Sequence, residues 1–171
     1  REDNSHRVLF DRRFKIMMDG AIFGGLAQFG FPGYIDGHKG IWMKPLEVTA
    51  QWAQAFWDAG YQIHAHTNGD GSAAALIDLL QKLQEQTPRA DHRLSLEHFA
   101  YTTEDQNKQL KALGAVVSAN PYYHYILSDL YSKHWLGNDR GSQMDDFGRS
   151  IAAVAAGEAP PESGYHGGYI T

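Results

Sequence analysis

Three histidines lie near the ends of two apolar segments, in a pattern that suits a metal site. His64 and His66 belong to the segment at residues 61–67, and His98 ends the segment at residues 93–98. Side chains alternate along a β-strand, so His64 and His66 are expected on the same face. Neutral imidazole is the commonest metal ligand, and parallel strands bring their carboxyl ends to one edge. The pattern predicts a metal site there, although His-x-His alone fits a hydrogen-bonding or core role equally well.

A lysine within an apolar run is the second candidate for chemistry. Lys15 lies in residues 13–18, where its neighbours are Phe14, Ile16 and Met17. An ammonium group buried there without a partner would be costly. Either Lys15 faces solvent at the edge of a sheet, or it is buried and its amine can add CO₂ to form a carbamate. A carbamate would replace a cation with an anionic bridge between two metal ions.

Two aspartates are expected to have local roles. Asp19 precedes Gly20 and is predicted to be a turn residue. Asp70 follows Asn68-Gly69 directly before a helical pattern, which predicts an N-cap. Several tyrosines follow the fourth predicted strand, where they would form either a pocket wall or ordinary core.

The order of the predicted elements indicates an α/β fold. Apolar segments alternate with helical patterns of 10–15 residues, which predicts parallel strands joined by right-handed crossovers. About four βα units are present, against the eight of a closed barrel, so the chain forms either a small doubly wound sheet or part of a (β/α)₈ barrel. The predicted strands are residues 13–18, 61–67, 93–98 and 115–118, and the predicted helices begin near Pro45 and cover residues 72–85, 103–113 and 122–135.

Apolar spacing predicts which faces of the helices are buried. Residues 21–45 are rich in glycine and aromatic side chains and are expected to form a long functional loop. Thr103 and Gln106 have the spacing of a capping box. The first helix should bury Trp52, Phe56 and Ala59, and the second should bury Ala73, Ile77, Leu80 and Leu83.

Composition excludes several classes of protein. The 171 residues carry a formal net charge of -5, which gives no basic footprint for nucleic acid. No apolar run of about 18 residues predicts a membrane span. The chain has no cysteine, so any metal must be held by His, Asp, Glu or a modified Lys, which favours zinc or another divalent ion. The sequence does not fix the compartment; with no signal peptide visible, a cytoplasmic protein is favoured over a secreted one.

Five segments together resemble the YtcJ-like group (amidohydrolase family 3) of the amidohydrolase superfamily. Their order and spacing match over roughly residues 13–150, and the set is far more specific than any single motif. The segments are Lys-Ile-Met-Met-Asp-Gly at 15–20, His-Thr-Asn-Gly-Asp at 66–70, Leu-Glu-His at 96–98, Val-Ser-Ala-Asn-Pro-Tyr-Tyr at 117–123 and Leu-Gly-Asn-Asp-Arg at 136–140.

The resemblance implies a metal-dependent hydrolase on a (β/α)₈ barrel that acts on C–N bonds of amides, cyclic amides or N-formyl groups. Lys15 would be the carboxylated lysine that bridges two metals, and His66 and His98 would bind one of them. The metal would be a divalent ion such as zinc, and the partner a small-molecule substrate. The substrate pocket would include His64, Asp70, Asn120 and Tyr123, with Asn68 at its rim.

The chain departs from the family pattern at both ends. The family's first His-x-His pair would lie upstream of residue 1, and its catalytic Asp, expected near Ile151, is not recognisable. We therefore expect the middle and late strands of a barrel over residues 1–156, an irregular tail over residues 157–171, and little or no hydrolysis by this chain alone. Open parallel edges would also favour association of copies into a homo-oligomer.

Two other functions remain open at this stage. One is a non-catalytic regulatory or binding protein that retains an amidohydrolase-like barrel. The other is a mononuclear zinc site formed by His64, His66 and His98 alone.

Overall fold

Four parallel strands form one sheet in chain order in the computed structural model, which describes residues 5–120 and 122–141. The predicted α/β class and the parallel pairing are confirmed, whereas a closed eight-stranded barrel stays a prediction. The proposed boundary between residues 156 and 157 lies outside the described residues. The strands are β1 (Arg13–Met17), β2 (Gln62–Thr67), β3 (Ser95–His98) and β4 (Val116–Ala119).

Helices follow each strand, as the alternating pattern predicts. The capping box of Thr103 and Gln106 is confirmed, since each residue's side chain bonds the other's backbone. No helix among the described residues is both long enough and apolar enough to span a membrane. The helices are α1 (Leu46–Asp58), α2 (Asp70–Gln86), α3 (Glu104–Ala112), α4 (Tyr122–Leu130), which continues as a π-helical turn over Tyr131–Trp135, and α5 (Asn138–Gly141).

The main core lies between one face of the sheet and helices α1, α2 and α3. Ile63 and Ala65 of β2 are fully buried, and they pack in one cluster with Leu96 of β3. The predicted buried stripe of α2 is confirmed, because all four of its members are buried. These are Ala73, Ile77, Leu80 and Leu83.

The predicted buried face of α1 is wrong. Trp52 is 44% exposed, and α1 instead buries Thr49, Ala53 and Trp57. A buried indole needs a partner for its N–H group. Trp57 has one, since its Nε1 donates to the carbonyl of Thr87 over 2.8 Å. Trp52 remains at the surface, where Lys44 lies 4.7 Å from its ring centroid.

The long loop at residues 21–45 is ordered by a second, aromatic cluster. Tyr34 and Tyr131 are both buried in it, and their hydroxyls donate to backbone carbonyls of the loop. Tyr131 reaches the carbonyl of Ile22 over 2.6 Å, and Ile35 N donates to the carbonyl of Trp135. The aromatic stretch after β4 therefore supplies core on one side, while Tyr122 and Tyr125 stay exposed.

Asp19 is a buried anchor with partners far along the chain, whereas the sequence predicts a local turn residue. It is 0% exposed, and both carboxylate oxygens accept hydrogen bonds. Oδ1 accepts from the backbone N–H of Asn68, and Oδ2 accepts from the backbone N–H groups of Gln28 and Gly69 and from the Ser72 hydroxyl, all at 2.8–3.0 Å. The carboxylate thereby connects the end of β1, the long loop, the end of β2 and the start of α2.

Asp70 is not the N-cap of α2, so that prediction is also wrong. Gly69, which has no side chain, occupies the cap position. The Asp19 carboxylate accepts a hydrogen bond from the Gly69 N–H, and the carbonyl of Gln28 accepts from the N–H groups of Gly71 and Ser72. The Asp70 carboxylate faces the long loop instead. Its Oδ1 accepts from the backbone N–H of Gly30 over 2.9 Å, and its Oδ2 lies 3.5 Å from Arg140.

Replacing Asp19 by Asn should lower the free energy of unfolding by about 3 kcal/mol, because an amide cannot accept at both positions and leaves buried donors unpaired. Chemical denaturation measures this loss. Asp78→Asn, at an exposed position of α2, is the matched control and should change stability by less than about 0.5 kcal/mol. Equal stability of the two variants would contradict the anchoring role of Asp19.

Candidate metal centre

The strand register places the candidate residues on the sheet face opposite the main core. Lys15 pairs with His64, and His66 pairs with both Met17 and Glu97. Residues paired in register on neighbouring parallel strands point to the same face. Polar and titratable groups are therefore concentrated on the face turned away from the helices, near the carboxyl ends of the strands.

His66 and His98 are brought together at the ends of β2 and β3. Their ring centroids are 4.4 Å apart and the rings meet edge to face at 70°. Asn68 Nδ2 lies 2.9 Å from His66 Nε2 and also donates to the carbonyl of Gly20. The Tyr123 hydroxyl lies 3.2 Å from His98 Nδ1. Each imidazole is thus oriented by a hydrogen-bonding side chain, and the His66 ring also hydrogen-bonds the backbone of Gly20.

The backbone at His98 is what turns its ring toward His66. Regular alternation would place His98 on the same side as Leu96, which is fully buried in the main core. His98 has φ 76° and Phe99 has φ 50°, so the chain leaves the extended conformation at this point. Left-handed conformations of non-glycine residues cost about 1–3 kcal/mol each and cluster at functional sites. The sequence carries no signal for this bend, because neither residue is Gly, Asn or Asp.

His64 forms a pair with Glu97 and does not join the other two histidines. Its Nδ1 donates to Glu97 Oε1 over 2.6 Å, and the Ser95 hydroxyl donates to the same oxygen over 3.1 Å. Burial raises the pKa of Glu97, but hydrogen bonds from His64, Ser118 and Ser95 outweigh it, so the net pKa is lowered. Glu97 is therefore a carboxylate that orients the His64 imidazole.

The described residues do not form a complete metal site. Within residues 5–120 and 122–141, no group of three or more His, Cys, Asp or Glu is arranged to hold a metal ion. A three-histidine site of His64, His66 and His98 is thus not formed, because His64 turns to Glu97. The catalytic Asp expected near Ile151 lies outside the described residues.

Burial favours the neutral form of the two central imidazoles. It is the largest effect that lowers the pKa of both His66 and His98; the charge of Lys15 adds to it, while the charge of Asp19 and the Gly20 backbone act in the opposite direction on His66. Lys15 itself is exposed on the edge strand β1, which agrees with the first of its two interpretations. Neutral imidazole is the form that binds metal ions. The uncarboxylated ammonium nearby would, in contrast, oppose a bound cation.

Two buried polar atoms flank His66 in sequence and lack a hydrogen-bond partner among the described residues. They are Nε2 of His64 and Oδ1 of Asn68. Buried polar atoms in proteins are almost always paired, so each such atom needs an explanation.

The other predicted pocket residues differ in their distance from this centre. Tyr123 contacts His98 through its hydroxyl and packs edge to face with Phe23. Asn120 holds the start of α4, since its Oδ1 accepts from Tyr122 N and its own N–H donates to the carbonyl of His98. Asp70 binds the long loop, as described above.

Sequence comparison finds a partial match and no matching family model. A curated protein from Renibacterium salmoninarum named arginine–tRNA ligase is 36% identical over 127 residues, which cover 74% of this chain and 21% of that protein. The chain thus spans about a fifth of the curated relative it matches.

Two solved structures share the fold at low sequence identity. An uncharacterized metal-dependent hydrolase from Pyrococcus horikoshii OT3 superimposes with a TM-score of 0.64 at 20% identity, over 78% of this chain and 26% of that one. A second, from Pyrococcus furiosus, gives 0.63 at 16% identity, over 85% of this chain and 28% of that one. These matches place the described α/β unit within a fold used by such proteins.

The free energy of unfolding should fall as the pH drops below about 6.5, the ordinary pKa of histidine. Because the folded pKa of His66 and His98 is lowered, the unfolded chain takes up protons first. Their contribution is therefore complete above pH 6.5 and is lost as the pH falls through the folded pKa.

Chemical denaturation across this pH range tests the effect. The double variant His66→Gln/His98→Gln should show a flatter profile than the wild type, whereas His6→Gln, at an exposed position, is the matched control. A double variant with the wild-type slope would show that the imidazole pair does not cause it.

Proposed function

We propose that this chain carries the His66–His98 part of a metal-dependent hydrolase site that acts on C–N bonds. The observation that carries the proposal is the pair of neutral imidazoles, 4.4 Å apart, at the carboxyl ends of adjacent parallel strands. The names of the two structural neighbours support the hydrolase class. The restriction to amides, cyclic amides or N-formyl groups rests on the resemblance of the five sequence segments to the YtcJ-like group.

The residues that would hold the metal are His66, His98 and a carboxylated Lys15. Lys15 lies close enough to lower the pKa of both imidazoles by its charge. Addition of its neutral amine to CO₂ would form an N–C bond and release a proton, leaving a carbamate. The local charge would then change from one that repels a divalent cation to one that binds it. Zinc suits a set of imidazole and oxygen ligands.

A bound divalent metal supplies Lewis-acid activation of water and of the scissile carbonyl. The chain's own groups would orient the reactants. The Tyr123 hydroxyl fixes the His98 ring, and Asn68 does the same for His66. The Nε2 atom of His64, on the ring that Glu97 orients, is buried and has no hydrogen-bond partner among the described residues. Asp70 would shape the pocket indirectly, through Gly30 of the long loop.

A non-catalytic binding protein with the same fold is the second candidate. It is favoured by one observation, namely that the described residues provide two imidazoles together and not a group of three or more ligands. In this case the metal site would be vestigial and the polar sheet face would serve only to bind a small molecule.

Zinc titration by calorimetry should distinguish the two candidates. His66→Ala/His98→Ala should weaken zinc binding by at least about tenfold, since it removes the proposed imidazole ligands. His134→Ala, at an exposed position beyond α4, is the matched control and should bind zinc like the wild type. If the double variant binds zinc as tightly as the control, the proposed centre is wrong.

The chain alone should hydrolyse N-formyl or amide substrates slowly or not at all, because the described residues contain no group of three or more His, Asp or Glu that could hold a metal ion. Product formation in the presence of added zinc measures this. Rapid turnover that a chelator abolishes would contradict the expectation.

A further inference from the structure

Asn68 and Gly69 connect the end of β2 to the start of α2, and they form the one Asn-Gly pair in the 171-residue sequence. In such a pair, the backbone nitrogen of the glycine can attack the side-chain carbonyl carbon of the asparagine. Glycine makes this attack easiest, because it has no Cβ to hinder ring closure and its backbone is the most flexible. Asn68 therefore has the sequence context that most favours loss of a side-chain amide.

The fold does not accept another residue at position 69. A Cβ built on Gly69 would lie 1.9 Å from the carbonyl oxygen of Gln28, which is a backbone atom. The same carbonyl accepts hydrogen bonds from the N–H groups of Gly71 and Ser72, so it is held in place against the start of α2. The close approach of the long loop to this helix therefore requires glycine.

The amide of Asn68 is required as well. The residue is 1% exposed, and its Nδ2 donates to the carbonyl of Gly20 over 3.0 Å and lies 2.9 Å from His66 Nε2. An aspartate here would turn a carboxylate oxygen toward the Gly20 carbonyl and would add a second buried carboxylate close to Asp19. Both contacts would be repulsive. The structure thus retains a reactive pair of residues at a buried position.

Hydrogen bonds hold the backbone of this pair in place. Asp19 accepts from the N–H groups of Asn68 and Gly69, each over 3.0 Å, and the Asn68 carbonyl accepts from Tyr101 N over 2.8 Å. Rotation of the peptide between the two residues would break these bonds. The Asp19 carboxylate also lies against the attacking nitrogen, where its negative charge opposes loss of the N–H proton.

The side-chain oxygen of Asn68 lacks the partner that the reaction requires. Attack on Cγ converts Oδ1 into an oxyanion, which hydrogen-bond donors must stabilise. Oδ1 is buried and has no hydrogen-bond partner among the described residues. Its burial also excludes the bulk water that would otherwise donate. The environment of Oδ1 therefore opposes the reaction in the folded chain.

We propose that Asn68 is a latent deamidation site, which the folded chain keeps unreactive and which reacts when the segments after β1 and β2 separate. The Gly69 nitrogen then forms a bond to Cγ of Asn68, and the Cγ–Nδ2 bond breaks. The amide leaves as ammonia with the proton from Gly69. Water opens the resulting succinimide at either carbonyl and gives aspartate or isoaspartate. This inference does not depend on the proposed hydrolase activity.

Neither product can re-form the native contacts. Both carry a carboxylate where Nδ2 of Asn68 donates to Gly20 and contacts His66. Isoaspartate also inserts an extra carbon into the backbone between the two N–H groups that Asp19 binds. An opening long enough for reaction would therefore leave a permanent defect in the part of the chain that orients the His66 ring.

Peptide mass spectrometry of the full chain during incubation at mildly alkaline pH tests the proposal. Asp19→Ala should form aspartate and isoaspartate at position 68 at least about tenfold faster than the wild type, because it removes the acceptor of both N–H groups. Alanine is chosen because asparagine at position 19 would create a second Asn-Gly pair. Asp78→Ala removes a carboxylate from an exposed position of α2 and should react like the wild type.

A further control separates the Asp19 contact from a general loss of stability. Leu83→Ala removes a buried side chain near the other end of α2, and it should react more slowly at position 68 than Asp19→Ala does. A folded Asp19→Ala variant that keeps its Asn68 amide as long as the wild type would overturn the proposal. So would equal rates in Asp19→Ala and Leu83→Ala variants of the same stability.

A second measurement covers the case in which Asp19→Ala does not fold. The wild type is incubated both folded and in denaturant, and the loss of each side-chain amide is followed. In denaturant Asn68 should react before Asn107, which precedes a lysine, whereas in the folded chain the amide of Asn68 should be retained. Equal rates at Asn68 in the two samples would show that the fold gives no protection.

The variant Asn68→Asp reproduces one product of the reaction directly. It should have a lower free energy of unfolding than the wild type, because it loses the amide donor and adds a buried carboxylate. Chemical denaturation measures the difference. A variant as stable as the wild type would show that the product fits the fold, which would overturn the inferred defect.

Discussion

The buried carboxylate of Asp19 connects the parts of the molecule that the candidate centre requires. It accepts hydrogen bonds from the long loop at Gln28, from the end of β2 at Asn68 and from the first turn of α2 at Ser72. Burial raises the pKa of Asp19 and its hydrogen bonds lower it, with burial the larger effect. A carboxylate at the start of a helix is stabilised by the unpaired N–H groups there. Through Asn68, this anchor also sets the orientation of His66.

Around that anchor, the chain places two imidazoles at the strand ends by different means. His66 reaches the polar face through ordinary strand alternation, whereas His98 reaches it through a left-handed turn at the end of β3. Neighbouring groups then separate the roles of the histidines. Glu97 engages His64 and leaves the His66–His98 pair neutral beside the cationic Lys15. The result is a pair of neighbouring imidazoles on the face of the sheet opposite the main core.

The sequence was informative where periodicity decides the structure and less so where long-range contacts do. Alternating segments predicted all four strands, and the stripe of α2 was correct because a sheet covers it. The predicted buried stripe of α1 was wrong. Trp57 is buried and its indole N–H donates to the carbonyl of Thr87, whereas Trp52 remains exposed. Asp19 and Asp70 were assigned by local turn chemistry, yet their partners lie up to 70 residues away in sequence. The meeting of His66 and His98 followed from their strand-end positions, whereas the backbone turn that allows it left no trace in the sequence.

NMR of the histidine ring nitrogens during zinc addition tests the central claim most directly. The account predicts that the ring signals of His66 and His98 shift together at the same zinc concentration, because both are ligands of one ion. The signals of His6 and His134, at exposed positions, should not change. If His66 and His98 do not respond while zinc binds elsewhere, the imidazole pair is structural and the account of a metal centre is wrong.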